Sequence, residues 1–301
     1  MIWQTENWKK LLIKSNQVEK NIQFGDFSIE KRSLGMGQYG LFILGYNGDL
    51  STKNSKKLQS ICREEQALFI QYETNNYTEK KAKSHDGFSE GYYKKFITPY
   101  TAVINLSLDT DTILANMKPK GRYNIKLTAK KGVITKIVEK NTKNISDFFH
   151  LMTETTSRDN FSGNTSDYYT QFLETITDSE LILAYKDDVA IAGGIFIFTK
   201  EEAIYYYGAS TSDKKYRNLM APYGVQFLAI QVAKKRGAKI YDFLGIAGPD
   251  ETESELSGVT DFKLKLTKDT RKVSQSFIWI NKRFHYTILV FIKKIKKLLK
   301  K

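Results

Sequence analysis

The sequence predicts an α+β chain of two domains, each a mixed sheet flanked by helices. Three observations carry that reading. At 301 residues the chain is longer than one hydrophobic core usually spans. Its 41% hydrophobic and 13% aromatic residues are enough for two packed cores, which excludes wholesale disorder. Residues 204–263 run as strand, turn, helix, strand and loop, a crossover unit of the kind that brings strands parallel.

Taken in order, Thr5 caps a short helix holding Trp8, Leu11 and Leu12. Strands at 40–45 and 67–73 enclose a helix near 57–65, and the polar, turn-rich residues 75–88 read as a surface loop. A strand follows at 101–106. A helical stretch then begins near Asp109, breaks at Pro119 and closes at Gly132. Residues 133–138 form the next strand, with Ile134 and Val138 available for burial. The second domain is expected from Lys140, giving domains 1–139 and 140–272, with 273–301 returning to complete the first. Ser146 is expected to cap a helix carrying Phe149 and Met152, and Ser166 one carrying Tyr169, Phe172, Leu173 and Ile176. Residues 181–185 and 189–198 make a hairpin over Asp187-Asp188, with a bulge at Gly193-Gly194. Alternation puts Tyr205 and Tyr207 on one face of the following strand. The helix after it returns Ala221, Val225, Leu228, Ala229, Val232 and Ala233 to one face, with Pro222 in its first turn and Gly237 at its end.

A formal charge of +14 points to polyanions such as nucleic acid, nucleotide phosphates or an anionic membrane, or is simply the solvated surface of a lysine-rich protein. Cys62 is the single cysteine, so no intramolecular disulfide is possible, and it reads as a core or strand-edge thiol. His85, His150 and His285 lack metal-ligand spacing. The opening residues show no charged-then-apolar leader, and no apolar run reaches membrane-spanning length, which predicts a cytoplasmic protein. At the other end, Ile288, Phe291, Ile292, Ile295, Leu298 and Leu299 fall at helical spacing against Lys293, Lys294, Lys296, Lys297, Lys300 and Lys301. That pattern fits a helix lying on an anionic membrane, or one docked on the protein with a lysine-rich outer face.

Hairpin, strand, helix, strand is the order of the acetyltransferase-like (GNAT) fold. An acyl-CoA pyrophosphate would need a glycine-rich turn of free amides at the helix start. Here that turn is Arg217-Asn218-Leu219-Met220-Ala221-Pro222, without glycine and without an amide at Pro222. That turn, the strand ending Gly208-Ala209-Ser210, and Tyr241-Asp242-Phe243-Leu244-Gly245-Ile246 followed by Gly258 and Phe262-Lys263 resemble the Fem-type (FemABX) peptidoglycan bridge-forming aminoacyltransferases. So do Lys120-Gly121-Arg122-Tyr123-Asn124-Ile125 with Lys131-Gly132-Val133, the stretch Thr155-Thr156-Ser157-Arg158-Asp159-Asn160-Phe161, and Ile2-Trp3-Gln4-Thr5 with Trp8.

The resemblance implies two tandem acetyltransferase-like domains, without the coiled-coil arm that some members insert. It implies transfer of an amino acid from aminoacyl-tRNA to the stem peptide of a nucleotide- or lipid-linked precursor, by a monomer that needs neither cofactor nor metal. Lys263, behind Phe262, would stabilise the tetrahedral oxyanion; read by spacing alone, it lies on the outer face of a surface strand. Thr156 and Arg158 would meet the acceptor's diphosphate, or Arg158 pairs with Asp159 or Glu154. Tyr205 and Tyr207 line an acceptor cleft or pack the core, and Arg217 joins them as a substrate-binding candidate. Arg122, Lys126 and Lys130 recur every fourth residue and make a stripe for a tRNA backbone, or a solvated helix face. Asp242 orients a cation or ends a strand, and Asp109 is a helix cap more than a base. The rival readings are an acyl-CoA-dependent N-acyltransferase and a non-catalytic membrane- or RNA-binding module.

Overall fold

The structure, a computed structural model, describes residues 2–46, 50–77, 87–251 and 254–298. The chain divides into two compact units, Met1–Pro99 with Lys272–Lys301, and Tyr100–Arg271. The C-terminal residues thus rejoin the first unit. The division falls well before Lys140, because residues 100–138 supply both edge regions of the second sheet, a long-range pairing that local pattern does not announce.

In chain order, the first unit begins with α1 (Glu6–Lys14), β1 (Lys20–Phe24), β2 (Phe27–Gly35), β3 (Gln38–Leu44), α2 (Thr52–Glu64), β4 (Phe69–Glu73) and β5 (Ser89–Glu90). The second contains β6 (Tyr100–Asn105), α3 (Thr110–Asn116), α4 (Pro119–Lys130), β7 (Ile134–Val138), α5 (Thr142–Asp159), α6 (Ser166–Thr175), β8 (Ser179–Lys186), β9 (Val189–Phe198), β10 (Glu202–Ser210), α7 (Lys214–Arg217), α8 (Ala221–Lys235), β11 (Ile240–Ile246), α9 (Ser257–Lys263) and β12 (Asp269–Lys272). The chain returns to the first unit with β13 (Ser276–Ile280) and α10 (Arg283–Leu298).

In the first unit, Thr5 caps α1 by accepting from the Trp8 amide at 3.2 Å, which lets Trp8, Leu11 and Leu12 face inward. Ser51 caps α2, so that helix starts earlier than the expected residue 57. Leu58, Ile61 and Cys62 of α2 pack on Leu41, Ile43 and Ile70 of β3 and β4. Burial pushes the Cys62 thiol up to about 12, which makes it an inert core group. The sheet order is β1-β2-β3-β4-β13-β5, with only β3 and β4 parallel. Most of the expected loop 75–88, with His85, lies outside the described residues.

The second sheet runs β12-β6-β11-β10-β9-β8-β7 and repeats that plan. An antiparallel meander ends in β10, α8 crosses over, β11 pairs parallel to β10, and β6 closes antiparallel beside it. In the first unit the matching members are β1–β3, α2, β4 and β13. The side chains carry no trace of this repeat.

Several expectations are corrected in the second unit. Asn141, accepting from the Asn144 amide at 3.0 Å, starts α5 more than a turn before Ser146, and Thr165 rather than Ser166 caps α6. Ile134 stays 65% exposed on the sheet-edge strand β7, while Val138 is buried. The bulge in β9 lies at Ile191, where the register shifts; Gly193 and Gly194 pair regularly and are small because a Cβ would meet Leu183 at 2.5 Å and Phe196 at 2.8 Å. As expected, α3 and α4 separate at Pro119, which takes an early position in α4 where its missing amide costs nothing.

Gly121 is the tightest approach in α4. An added Cβ would lie 2.1 Å from the backbone oxygen of Lys265, which also accepts from the Lys118 amide at 3.1 Å. Backbone cannot swing aside as a side chain can. Gly121→Ala should therefore cost about 1–3 kcal/mol in urea unfolding, and an unchanged midpoint would show that the contact is looser than described.

Candidate active site

β10 and β11 pair at only three positions, Glu202 with Ile240, Ala203 with Tyr241 and Ile204 with Asp242. Beyond them each strand bulges: β10 between Tyr205 and Tyr207 against β9, and β11 between Asp242 and Gly245 against β6. The two strands part there, and main-chain groups that a regular ladder would consume become available.

The β11 bulge is held by Asp242. Its carboxylate is buried and accepts from the Thr101 hydroxyl of β6 and, at 2.8 Å, from the Leu244 amide, fixing Leu244 in the left-handed region at φ 55°. The carbonyls of Leu244 and Gly245 are then turned onto Lys263. Its ammonium donates to Gly245 O at 2.7 Å and Leu244 O at 3.3 Å. Lys263 is not on a surface strand: it ends α9 and is 6% exposed. α9 is tied to the end of β11 by the Ala247 amide, which donates to Thr260 Oγ1 at 2.8 Å. Phe262 packs edge-on against Tyr223 of α8, centroids 5.0 Å apart.

Burial lowers Lys263 to about 8, and the charge of Asp242 pulls the other way. At neutral pH the group is mainly an ammonium that has shed its water. Among the described residues two of its three N–H groups donate to carbonyls and the third meets no acceptor, so one N–H stays available. That is a preorganised donor in a dry setting, where a charge–dipole interaction is stronger than in water.

The tyrosines do not share a face. The bulge sets Tyr205 opposite Phe196 and Tyr207 opposite the adjacent Ile195, which reverses the alternation. Tyr205 stacks on Phe196 at 5.4 Å inside the core against α8. Tyr207 packs on Tyr169 at 5.2 Å and donates to the Tyr168 hydroxyl at 3.2 Å, on the side of α6. Burial raises both phenols above their ordinary range. Both tyrosines are half-buried and held by neighbouring aromatic rings.

Arg158 closes its fork on Asp159, with Nε 2.9 Å from Oδ1 and Nη2 3.1 Å from Oδ2, and its Nη1 reaches Ser210 O at 3.0 Å. The guanidinium therefore joins α5 to the end of β10. Thr156 turns back to Thr153 O at 3.1 Å on its own helix. Its neighbour Thr155 makes the cross-link, donating to Ser210 O at 3.0 Å and accepting from Ser210 N at 2.9 Å. The helical phase of Ile145, Phe148, Leu151 and Met152 already points to 155 rather than 156. Arg122 leaves the proposed stripe: its Nη1 caps α3 on the carbonyls of Ala115 and Met117. Lys126 and Lys130 remain exposed on α4, and Arg217 is exposed on α7. Asp109 caps α3, and its bond from the Thr112 hydroxyl holds it below the usual carboxylate range, unsuited to a base.

The glycine-free turn is also chemically closed. Met220, at φ 58°, offers its carbonyl to the Tyr223 amide at 2.9 Å and to the Thr128 hydroxyl at 2.9 Å, and Pro222 has no amide to give. Nothing at the start of α8 forms the nest that a pyrophosphate requires.

The FemAB family model matches residues 73–186 and 176–294. The chain belongs to the FemAB family. Curated relatives of this FemAB protein include the lipid II:glycine glycyltransferases of Staphylococcus saprophyticus, 21% identical over 74% of this chain and 71% of that one, and of Staphylococcus haemolyticus, 23% identical over 60% and 58%. Among solved structures, a crystal structure of FemX superposes with a TM-score of 0.81 at 16% identity over 96% of this chain and 94% of that one. The C-terminal domain of a putative lysylphosphatidylglycerol synthetase from Agrobacterium fabrum gives 0.61 at 11% identity over 93% and 90%. These structural likenesses establish the fold. Two mixed sheets flanked by helices are thus the FemAB architecture, and among the described residues between Tyr205 and Lys263 no helix is longer than the 15 residues of α8.

In this FemAB chain, pH should expose the buried lysine. Its folded value of about 8 lies below the ordinary 10.5. Between those values the unfolded chain binds more protons, so the Lys263 contribution to stability rises with pH there, while below 8 the penalty for the buried charge is fully present. The stability of Lys263→Met relative to the natural chain should therefore fall by roughly 3 kcal/mol from neutral pH to pH ~10.5. Urea unfolding across that range tests it, and a flat difference would contradict a depressed lysine. Asp242→Asn keeps the shape but removes the charge. It should shift the Lys263 titration, followed by NMR of labelled lysine, downward by about one pH unit.

Proposed function

We propose that this protein joins an amino acid, delivered as an aminoacyl-tRNA, to an amine on the stem peptide of a lipid-linked peptidoglycan precursor, as in the assembly of interpeptide bridges. It is an aminoacyltransferase by family, and its curated relatives carry lipid II and glycine in their names. One observation carries the reading to this chain: Lys263 is buried at the parting of β10 and β11, beside a helix start that cannot hold an acyl-CoA pyrophosphate.

The chemistry needs no nucleophilic side chain. The neutral acceptor amine attacks the ester carbonyl of the charged tRNA, a C–N bond forms, and the carbonyl electrons move to oxygen. The remaining N–H of Lys263 receives that oxyanion. On collapse the C–O bond to the tRNA ribose breaks, and the proton lost by the amine ends on the departing ribose oxygen. Loss of one such donor typically costs on the order of 10²–10³ in rate. Lys126 and Lys130 are the cations offered to the RNA backbone. We do not give Arg158 the acceptor diphosphate, since Asp159 already fills its fork. Charged tRNA places the reaction on the cytoplasmic side of the membrane, and no helix among the described residues is long and apolar enough to cross it.

Two incubations decide the matter, one with charged tRNA and lipid II, the other with acetyl-CoA and a generic amine. Product from the first alone is the expected result; product from the second alone would replace this function with acyl-CoA transfer. Lys263→Met should lower the transfer rate about 10²–10³-fold with lipid II affinity unchanged. Full turnover in that variant would remove Lys263 from the chemistry.

A further inference from the structure

α10 has two faces of opposite character. On one, Tyr286 packs edge-on against Phe69 of the first sheet at 5.5 Å, Leu289 is 6% exposed, and Lys293 donates to the Tyr93 carbonyl at 2.7 Å. This face docks the helix on its own unit through an aromatic, an apolar residue and a lysine together. On the other, Phe284, Ile288, Phe291, Ile295 and Leu298 are 74%, 42%, 62%, 40% and 73% exposed. At roughly 100° per residue these five fall within an arc of about 80°, opposite the docked face. The sequence pattern offered two alternatives, an apolar side turned to a membrane or an apolar side docked on the protein. The structure docks the helix and still leaves the apolar stripe outward.

Cations border the stripe on both sides. By the same helical phase Arg283 and Lys294 lie along one edge and Lys296 along the other, all three exposed. Leu299, Lys300 and Lys301 lie outside the described residues. A row of large apolar side chains on a solvent face costs solubility unless something covers it. An apolar stripe edged by cations matches one surface best, hydrocarbon beneath a layer of negative headgroups.

We propose that α10 seats the protein on an anionic lipid bilayer. Phe284, Ile288, Phe291, Ile295 and Leu298 enter the headgroup–acyl boundary, and Arg283, Lys294 and Lys296 lie over phosphate-bearing lipids. Because the opposite face of α10 is fixed to the first unit, the helix does not have to fold on arrival. The proposal stands apart from the transfer reaction and holds whichever acyl donor the enzyme uses.

The test is co-sedimentation of the full chain with vesicles of phosphatidylcholine alone or mixed with phosphatidylglycerol, at low and high salt. The expected result is binding to the mixed vesicles, weakened by salt, with little binding to phosphatidylcholine alone. Phe284→Ser with Phe291→Ser, both at exposed positions, should reduce that binding at least tenfold with an unchanged thermal melt. Lys294→Glu with Lys296→Glu should reduce it tenfold or more, and only on the anionic vesicles. Absence of binding by the natural chain, or equal binding by the Phe→Ser pair, would overturn the proposal. So would a natural chain that is dimeric by light scattering and becomes monomeric in the Phe→Ser pair, because the stripe would then be covered by a second copy.

Discussion

An ammonium taken out of water must be answered by oxygen, and in this protein the answer comes from the main chain of one interrupted strand. β11 pairs with β10 for three residues, then buckles around the Asp242 carboxylate and presents two carbonyls to Lys263. Asp242 does this through the Thr101 hydroxyl and the Leu244 amide, so the strand, its neighbour β6 and the lysine depend on one buried carboxyl group. Where the strands part, β10 bulges as well, which turns Tyr205 and Tyr207 to opposite sides. In the first unit the corresponding parallel pair, β3 and β4, runs four residues without a break. There, the strand end carries Glu73, buried and satisfied by the amides of Phe96 and Ile97, which bind a loop of the same unit to the sheet. One plan is thus used once with its parallel pair interrupted and once with that pair unbroken.

Much of the fold was legible because its signals are local. Thr5 before a helical apolar pattern, Pro119 between two helices, the Asp187-Asp188 turn, and the small and apolar face of α8 each state their structure within a few residues. The return of 273–301 was expected, but the start of the second unit at residue 100 and the repeat were not legible in the residues. Both rest on β6 and β13, strands that reach their partners across most of a unit, and nothing in residues 100–105 or 276–280 names those partners. Helix starts came more than a turn earlier than expected, as with Asn141 against Ser146.

The candidate site was pointed to at one position and its surroundings were read less well. A resemblance in sequence singled out Phe262-Lys263, whereas spacing alone would have left that lysine on a surface strand. Tyr207 was misjudged because a single extra residue in a strand reverses every side chain beyond it. Thr156 was chosen from the resemblance and Arg122 from its four-residue spacing, and the structure bonds Thr156 to Thr153 O and Arg122 to the carbonyls that end α3. Asp242 carried its own signal in plain view: a carboxylate inside the apolar run Ile240–Ile246 is expensive to bury and must be held by something.

The discontinuity of the first unit has a consequence for how the protein is made. Its sheet places β13 between β4 and β5, so the strand that completes it leaves the ribosome only after the whole of the second unit. The second sheet has all seven of its strands by residue 272. During synthesis a finished second unit therefore hangs from an unfinished first one, whose β4 edge is left without its neighbour. An open edge of buried, β-prone residues such as Phe69, Ile70 and Tyr72 is a template for any other strand nearby. Newborn chains are thus most vulnerable to mispairing in the interval before β13 emerges, and whatever shelters nascent polypeptides has its work to do at β4.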